Sequence, residues 1–360
     1  MIPKTKVEIF CTSNDHSLQR IYTGFRMLEQ QGEINLSYQI YKNRRPFPAL
    51  ESLSWPMNLL VKINASKLLL FDMNDMDGIW WKDLEQVDFY FKRSFSAQNI
   101  GPDFAYKKVF PFGLNYMLYE NRPSWFALRR IVLEKTASKM LKSAIATLGF
   151  LNLFSTRLYH LSAGNGYAEP DVSLKPGVIF MTRLWDPQRY QGIDRENTIA
   201  MNEFRVDCIR KLRKAFGSCF LGGLDPNDYA YVPRQFADCL VEDACSCSQG
   251  NYFRLLKQYP IAVTTRGLGN STGFKFAEYL AFSRAIVSEK LYFQEPGLEA
   301  GKHYLEFTSA DECVEAVSTL LEDAQLRQKL MEQSHAYYQQ YLPPDVTMRR
   351  ILSLASGGLS

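Results

Sequence analysis

The stretch Ile261–Val287, IAVTTRGLGNSTGFKFAEYLAFSRAIV, decides the fold. Its first four residues form a short apolar run rich in β-branched types, which suits a strand covered on both faces. Residues 265–273 then bring Gly267, Gly269 and Gly273, with Asn270, Ser271 and Thr272 among them. Glycines let a backbone turn sharply and let a ligand approach it closely. Hydroxyl side chains just ahead of a helix are expected to cap its first N–H groups. That helix is expected to start near Phe274 and to carry Lys275 and Glu278 in its first turns, and a second apolar strand follows at Ala285–Val287. A helix N-terminus after a buried strand gathers unpaired N–H groups and the positive end of the helix dipole, a combination that binds phosphate. Glu278 is placed to accept hydrogen bonds from a ribose diol, so a nucleotide diphosphate is the first ligand to consider. The same pattern also builds ligand-free sheets, and Glu278 also suits a plain first-turn dipole partner.

Working outward, Lys6–Thr12 reads as a strand, 13–17 as a polar loop, Leu18–Gln31 as an amphipathic helix stopped by Gly32, and Ile34–Tyr41 as a second strand. Strands are also expected at Lys67–Phe71, Val87–Phe91 and Lys107–Phe110. Ser124–Leu153 has a long helical pattern with Arg129, Arg130, Lys135, Lys139 and Lys142 among apolar residues, and Ser162–Pro176 reads as a linker rich in small residues and proline. Past the linker, strands at Gly177–Met181 and Ser218–Leu221 flank a helix over Met201–Phe216. A short helix is expected at Tyr252–Gln258 and a last one over 345–358. Alternating strands and helices in two blocks predict an α/β protein of two Rossmann-like domains.

Lys275, Glu278, Tyr279-Leu280-Ala281 and Arg284-Ala285-Ile286-Val287 resemble the donor-site signature of group-1 nucleotide-sugar glycosyltransferases. The similarity continues through Gly301–Phe307 and Asp311–Tyr337, and is good over about 261–340. It implies the GT-B fold, with two Rossmann-like domains facing a central cleft. Residues 1–165 would be the acceptor domain, with a basic helical segment at 121–160. Residues 166–340 would be the donor domain, and 341–360 a tail helix packing back toward the first domain. The resemblance places the nucleotide ribose on Glu278 and the diphosphate on Gly269, Asn270, Ser271, Thr272, Gly273 and Lys275. Arg183 resembles the family's arginine after the first strand of the donor domain, though a surface ion pair is an equally good reading. Many retaining members carry a second glutamate eight positions before the ribose glutamate. Asn270 stands there, so the anomeric outcome stays open.

Transfer of a sugar also needs a group to take the acceptor's proton. Asp15 and His16 follow the first strand, where ligands bind in such sheets, although Asp15 is also a good helix cap. Asp72, Asp75 and Asp77 crowd the end of the strand at 67–71, and neighbouring carboxylates raise one another's pKa; Asp75 is therefore a further base candidate. Lys92 and Arg93 end the next strand. Asp75-Met76-Asp77 also fits the metal-holding Asp-x-Asp of GT-A glycosyltransferases, which is the rival enzymatic reading. A non-catalytic nucleotide-sugar-binding scaffold is the third. The GT-B resemblance implies no required cofactor or resident metal, a nucleotide-sugar donor, and a glycan or lipid-linked glycan acceptor in bacterial polysaccharide or lipopolysaccharide synthesis.

Composition narrows the field. The 360 residues are 46% hydrophobic and 22% charged, which describes two ordinary folded domains. A net charge of +4 makes no demand for nucleic acid. Seven cysteines without a framework, and four scattered histidines, argue for free thiols and against zinc. No signal peptide opens the chain and no apolar run approaches a membrane span, so a cytoplasmic protein is expected. The basic segment 124–153, with Trp125, Phe126 and Phe150, is a candidate contact with the inner face of a membrane.

Overall fold

The computed structural model describes residues 4–42, 46–101, 108–122, 124–148, 160–226 and 231–357. In the first unit the elements are β1 (Thr5–Cys11), α1 (Gln19–Gln30), β2 (Ile34–Ile40), β3 (Asn58–Ile63), β4 (Lys67–Asp72), α2 (Trp81–Leu84), β5 (Phe89–Lys92), α3 (Ala97–Ile100), β6 (Val109–Pro111), α4 (Trp125–Arg130) and α5 (Ala137–Leu148). The second contains β7 (Val178–Thr182), α6 (Gly192–Phe216), β8 (Phe220–Leu224), α7 (Gln249–Leu256), β9 (Ile261–Thr264), α8 (Phe274–Ala281), β10 (Ala285–Glu289), β11 (Tyr304–Phe307), α9 (Ala310–Glu322), α10 (Ala324–Tyr341) and α11 (Pro344–Ala355).

The second sheet has the order β11-β10-β9-β7-β8, parallel throughout. Every residue of β9 and β10 is buried, as expected of strands covered on both faces. The order reverses direction between β7 and β9. At such a switch point the loops leaving the two strands diverge and open a crevice at their carboxyl ends.

The first sheet has the order β2-β1-β3-β4-β5-β6, and it departs from a pure Rossmann pattern. β3, which the sequence reading lacks, runs antiparallel to both β1 and β4. It joins β4 through a tight hairpin whose central residues Asn64 and Ala65 have φ of 49° and 57°. Two positive φ values in succession match the right-handed twist of the flanking strands. Because β3 is inverted, β1, β4 and β5 remain mutually parallel, and their carboxyl ends share one edge of the sheet.

The expected single helix over 124–153 is two. α4 ends in a short 3₁₀ turn, and Glu134 turns inward to accept hydrogen bonds from Ser143 and Asn14 before α5 begins. Residues 149–153, Phe150 among them, and Lys107 of the expected strand 107–110 lie outside the described residues.

The chain's last helix crosses back to the first unit. Met348, Ile351, Leu352 and Ala355 of α11 join the core formed by β1, α1 and β4. Fully burying a large apolar side chain is worth roughly 1.5–3 kcal/mol, so this face docks α11 by several kcal/mol. Gly24 of α1 makes the close approach: a Cβ there would meet the Pro344 carbonyl oxygen at 2.3 Å and Met348 Cγ at 2.6 Å. Arg20, 1% exposed, secures the return by donating to the carbonyls of Leu342 at 3.0 Å and Leu114, and to Thr347 Oγ1. All seven cysteines are free. Among the described residues no helix is long and apolar enough to cross a membrane.

Candidate functional site

The carboxyl edges of the two sheets face each other across a cleft of about 540 Å³. This falls within the range of small-molecule sites. From the first unit, His16 after β1, Asp75 after β4 and Arg93 after β5 line it. From the second come Arg183 after β7, Thr264 and Thr265 at the end of β9, and Ser271, Gly273, Lys275 and Glu278 around the start of α8.

The loop before α8 is built differently from the capping expectation. Gly273 is the N-cap residue, and no side chain caps the helix. Ser271 instead closes the loop: its carbonyl accepts from Gly267 N at 2.7 Å and its own N–H donates to Leu268 O at 3.1 Å. Thr272 is buried with its hydroxyl beside Glu295. The first N–H groups of α8 are thus without a side-chain cap at the cleft wall, which is the arrangement that suits an anion.

Lys275 and Glu278 sit one turn apart inside this wall. The Lys275 ammonium lies 3.6 Å from the centroid of the Tyr252 ring. Burial pulls that ammonium below its ordinary range, while Glu278 draws it back up. Burial likewise lifts the Glu278 carboxyl, opposed by Lys275 and by the Tyr252 hydroxyl. An incoming diphosphate would supply the charge Lys275 lacks and favour its protonated form. The Arg183 guanidinium lies over Trp185, 5.5 Å from the ring centroid.

Gly269, Asn270 and Thr272 stand off the cleft wall. Gly269 has φ of 60° and backs onto Met76, whose Sδ a Cβ would meet at 2.7 Å. Asn270 is exposed, with its Oδ1 accepting from Arg266 at 3.1 Å. Arg266 is in turn held by Glu289 through its backbone N–H at 2.8 Å and its guanidinium at 2.6 Å.

On the opposite wall, Asp15 accepts from Ser17 N at 2.9 Å and Ser17 Oγ at 2.7 Å, so it caps the turn as the simpler reading expects. The Asn115 amide donates to Ser17 O at 2.8 Å, which fixes this turn from beneath. His16 projects from it, half-exposed. Its Nδ1 lies 3.4 Å from Asp15 Oδ1, and its ring meets Phe274 edge-on with centroids 5.7 Å apart. Asp72, Asp75 and Asp77 do not converge. Asp72 is fully buried in an ion pair with Lys92 at 2.9 Å, Asp75 pairs with Arg93, and Asp77 accepts from Asn99. Asp75 and Asp77 are thus each engaged by another side chain of the first unit. Among the described residues no group of three or more His, Cys, Asp or Glu could hold a metal ion.

Two arginines hold the site together. Arg93 reaches from the first unit to the loop before α8, where it donates to Thr272 O at 2.9 Å and lies over Phe274 at 4.7 Å. The charged end of β5 pointed to it. Arg205 on α6 was not singled out, and it clamps both loops of the switch point. It donates to Thr265 Oγ1 at 3.0 Å, Arg183 O at 2.5 Å and Arg266 O at 2.6 Å. Burial pushes its pKa down to about 10.

Residues 223–353 match a family model described as glycosyl transferase-like. Among solved structures, a glycosyltransferase from Rickettsia africae shares 11% identity, with 93% of this chain and 88% of that chain covered at a TM-score of 0.44. HepE of Anabaena, solved in complex with UDP-glucose, shares 10% identity over 98% of this chain and 100% of that chain at 0.38. TarM shares 11% over 52% of this chain at 0.37, and the chain spans only 36% of its length. At such scores these likenesses carry no argument, and the fold stands on the strand order given above. Among curated proteins none matches the chain in sequence. Two facing α/β units with a cleft at the switch point make up the GT-B architecture, and part of the second unit is similar to a glycosyl transferase-like family. The matched residues run from the end of β8 into α11, so the similarity covers most of the second unit.

Proposed function

We propose that this protein transfers a sugar from a nucleotide diphospho-sugar to a glycan or lipid-linked glycan acceptor. The observation that carries the reading is the uncapped start of α8 at the cleft wall, with Lys275 and Glu278 half-buried beside it. In this reading the helix N-terminus and Lys275 take the diphosphate, and Arg183 assists from β7. Glu278 grips the ribose. Charge growing on the leaving diphosphate meets donors that are already oriented, so little reorganisation accompanies bond breaking. No metal is needed for that role. His16 is the candidate base: it faces the donor loop across the cleft, and Asp15 lies on its Nδ1 side, which leaves Nε2 for the acceptor hydroxyl. Asp15 orients rather than reacts, and Asp75 serves Arg93.

Bacterial surface-polysaccharide or lipopolysaccharide assembly at the inner face of the membrane is the setting we propose. The exposed side chains of Trp125, Val132 and Leu141, at 73%, 40% and 63%, accompany Lys135, Lys139 and Lys142 on α4, α5 and the turn between them. Apolar residues among cations suit an anionic lipid surface. Sedimentation with phosphatidylglycerol vesicles, lost in Trp125→Ala/Leu141→Ala, tests that contact.

The central reading is tested by thermal unfolding against a panel of nucleotide sugars, because a ligand of the native state raises its apparent stability. At least one uridine, guanosine, adenosine or thymidine diphospho-sugar should raise the midpoint. His16→Ala should keep that shift and lose turnover. If no member of the panel moves the midpoint, the donor site is misread.

A further inference from the structure

Three of the chain's five tryptophans, Trp55, Trp80 and Trp81, gather beside the mouth of the cleft. β3 is antiparallel, so its amino end lies at the carboxyl end of β4, with Asn58 opposite Asp72. Trp55 precedes that end by three residues, and Met57 between them lines the cleft. Two residues of extended chain span at most about 7 Å, which places Trp55 within one or two sugar lengths of the cleft wall. The strand leaving β4 runs alongside: Met73 N donates to Met57 O at 3.1 Å, and the Asn74 amide donates to Asn58 Oδ1 at 2.9 Å. It continues through cleft-lining Asp75 to Trp80.

The Trp55 and Trp80 rings form an open notch, with centroids 6.3 Å apart and planes tilted by 53°. Trp55 is 52% exposed and Trp81 50%. Indole surface left in water at this density marks a binding surface rather than a core. The backbone beneath is rigid. The fully buried Asp83 carboxylate accepts from Glu51 N at 3.0 Å and Ser52 N at 2.7 Å, which fixes the turn that presents Trp55. Around the notch stand exposed polar pairs, Lys82 with Glu51 and Asn99 with Asp77. Aromatic faces flanked by hydrogen-bonding groups match the chemistry of a pyranose, whose axial C–H face is apolar and whose rim is hydroxylated. A lipid surface would favour cations around the indoles, and here acidic groups stand among them.

Resting on the function proposed above, we infer that the Trp55–Trp80 notch, with Trp81 at its side, is a subsite for the acceptor glycan. It binds a sugar ring one to three residues behind the hydroxyl that enters the cleft. The acceptor is then an oligosaccharide rather than a lone sugar or a bare lipid carrier.

The test uses the full chain on a printed array of linear and branched oligosaccharides of one to six sugars. Hits are then titrated by tryptophan fluorescence. A bound set is expected in which tri- or tetrasaccharides bind about tenfold or more tighter than the monosaccharide of the same end group, a typical scale for one aromatic stacking contact. Trp55→Ala and Trp81→Ala should remove that length dependence and keep the thermal shift given by the nucleotide sugar. Both side chains are half in water, so the variants keep the fold, and an unchanged melting profile checks this. Length-independent binding, no oligosaccharide bound at all, or retention of the length dependence in both variants overturns the subsite. So does capture by phosphatidylglycerol vesicles that depends on Trp55. Loss of the nucleotide-sugar shift in the parent protein instead refutes the donor-site reading, so the two failures are told apart.

Discussion

Replacing Arg93 asks whether the cleft depends on one contact between its two walls. The guanidinium makes three interactions: a hydrogen bond to Thr272 O at 2.9 Å, an ion pair with Asp75, and a face contact with Phe274 at 4.7 Å. Its side chain is 7% exposed, so the bond to the loop before α8 is weakly screened. A hydrogen bond from a charged donor contributes roughly 1.5–3 kcal/mol, and a partly desolvated cation–π contact about 1 kcal/mol. Asp75 is 41% exposed, so its ion pair adds only about 0–1 kcal/mol. Arg93→Ala should therefore remove about 2–4 kcal/mol of support for the loop that begins α8. A ligand that needs the loop ordered must then supply this itself, and its Kd should rise between about thirtyfold and nearly a thousandfold. Arg93→Lys keeps the charge and loses the planar fork, so it should fall between. Asp75→Asn leaves the loop contacts intact and should change affinity by less than about fivefold. Calorimetric titration with the nucleoside diphosphate that stabilises the parent most would measure all three. The reasoning fails if Arg93→Ala binds as tightly as the parent. A large loss of turnover in Asp75→Asn at unchanged affinity would make Asp75 the base after all.

Three further outcomes are expected. Glu278→Ala should weaken nucleotide binding by about tenfold to a hundredfold, because the ribose loses a charged acceptor; titration of the nucleoside diphosphate, with free phosphate as control, reads this out. Burial pushes the Glu295 carboxyl up to about 8, against the opposing charges of Arg93, Arg20 and Arg350. The unfolded chain ionises this group from about pH 4.5 upward, so stability should fall as pH rises through the window from there to about 8. Glu295→Gln should flatten that slope and be the more stable form at pH 9, by a few kcal/mol; parallel slopes in denaturant melts across the window would refute the assignment. Gly24→Ala should lower the denaturation midpoint by an amount on the order of 1–3 kcal/mol, since overpacking against the Pro344 backbone exceeds the gain in helix propensity.

The second sheet was legible because its strands are parallel and doubly covered. They read as continuous apolar runs such as Ile261–Thr264 and Ala285–Val287, broken by a glycine-bearing loop. The first sheet was legible only in part. Asn58–Ile63 is as apolar as its neighbours, but an α/β reading looks for a helix between strands and the turn that follows carries no glycine. Asn64 and Ala65 take positive φ without the residue that usually announces it. The helical pattern over 124–153 failed for another reason. Its periodicity holds across Glu134, and only the tertiary bonds of that carboxylate to Ser143 and Asn14 show that the helix breaks there.

The site divides along the same line. Groups that line the cleft came forward as local pattern: Lys275 and Glu278 follow a strand and a loop, and His16, Asp75 and Arg93 each follow a strand of the first sheet. Whether they meet depends on the direction of β3. An antiparallel strand between β1 and β4 keeps those two parallel and aims their ends at the same cleft, and nothing in Asn58–Ile63 announces that direction. The residues that hold the site are harder still. Arg205 lies on the stripe Thr198, Asn202, Arg205, Ile209, Leu212, spaced by fours and threes along the buried face of α6. A cation and an amide on an otherwise inward stripe are the legible signal, because a buried polar group must find partners. Asn202 satisfies both ends of its amide on the Trp185 backbone, and Arg205 spends three N–H groups on the loops after β7 and β9. Arg20 does the same for the returning C-terminal chain. In each case an arginine takes up loop carbonyls that helix and sheet cannot satisfy. The charged residues to look for behind a cleft of this architecture are therefore those standing where a leucine would be expected.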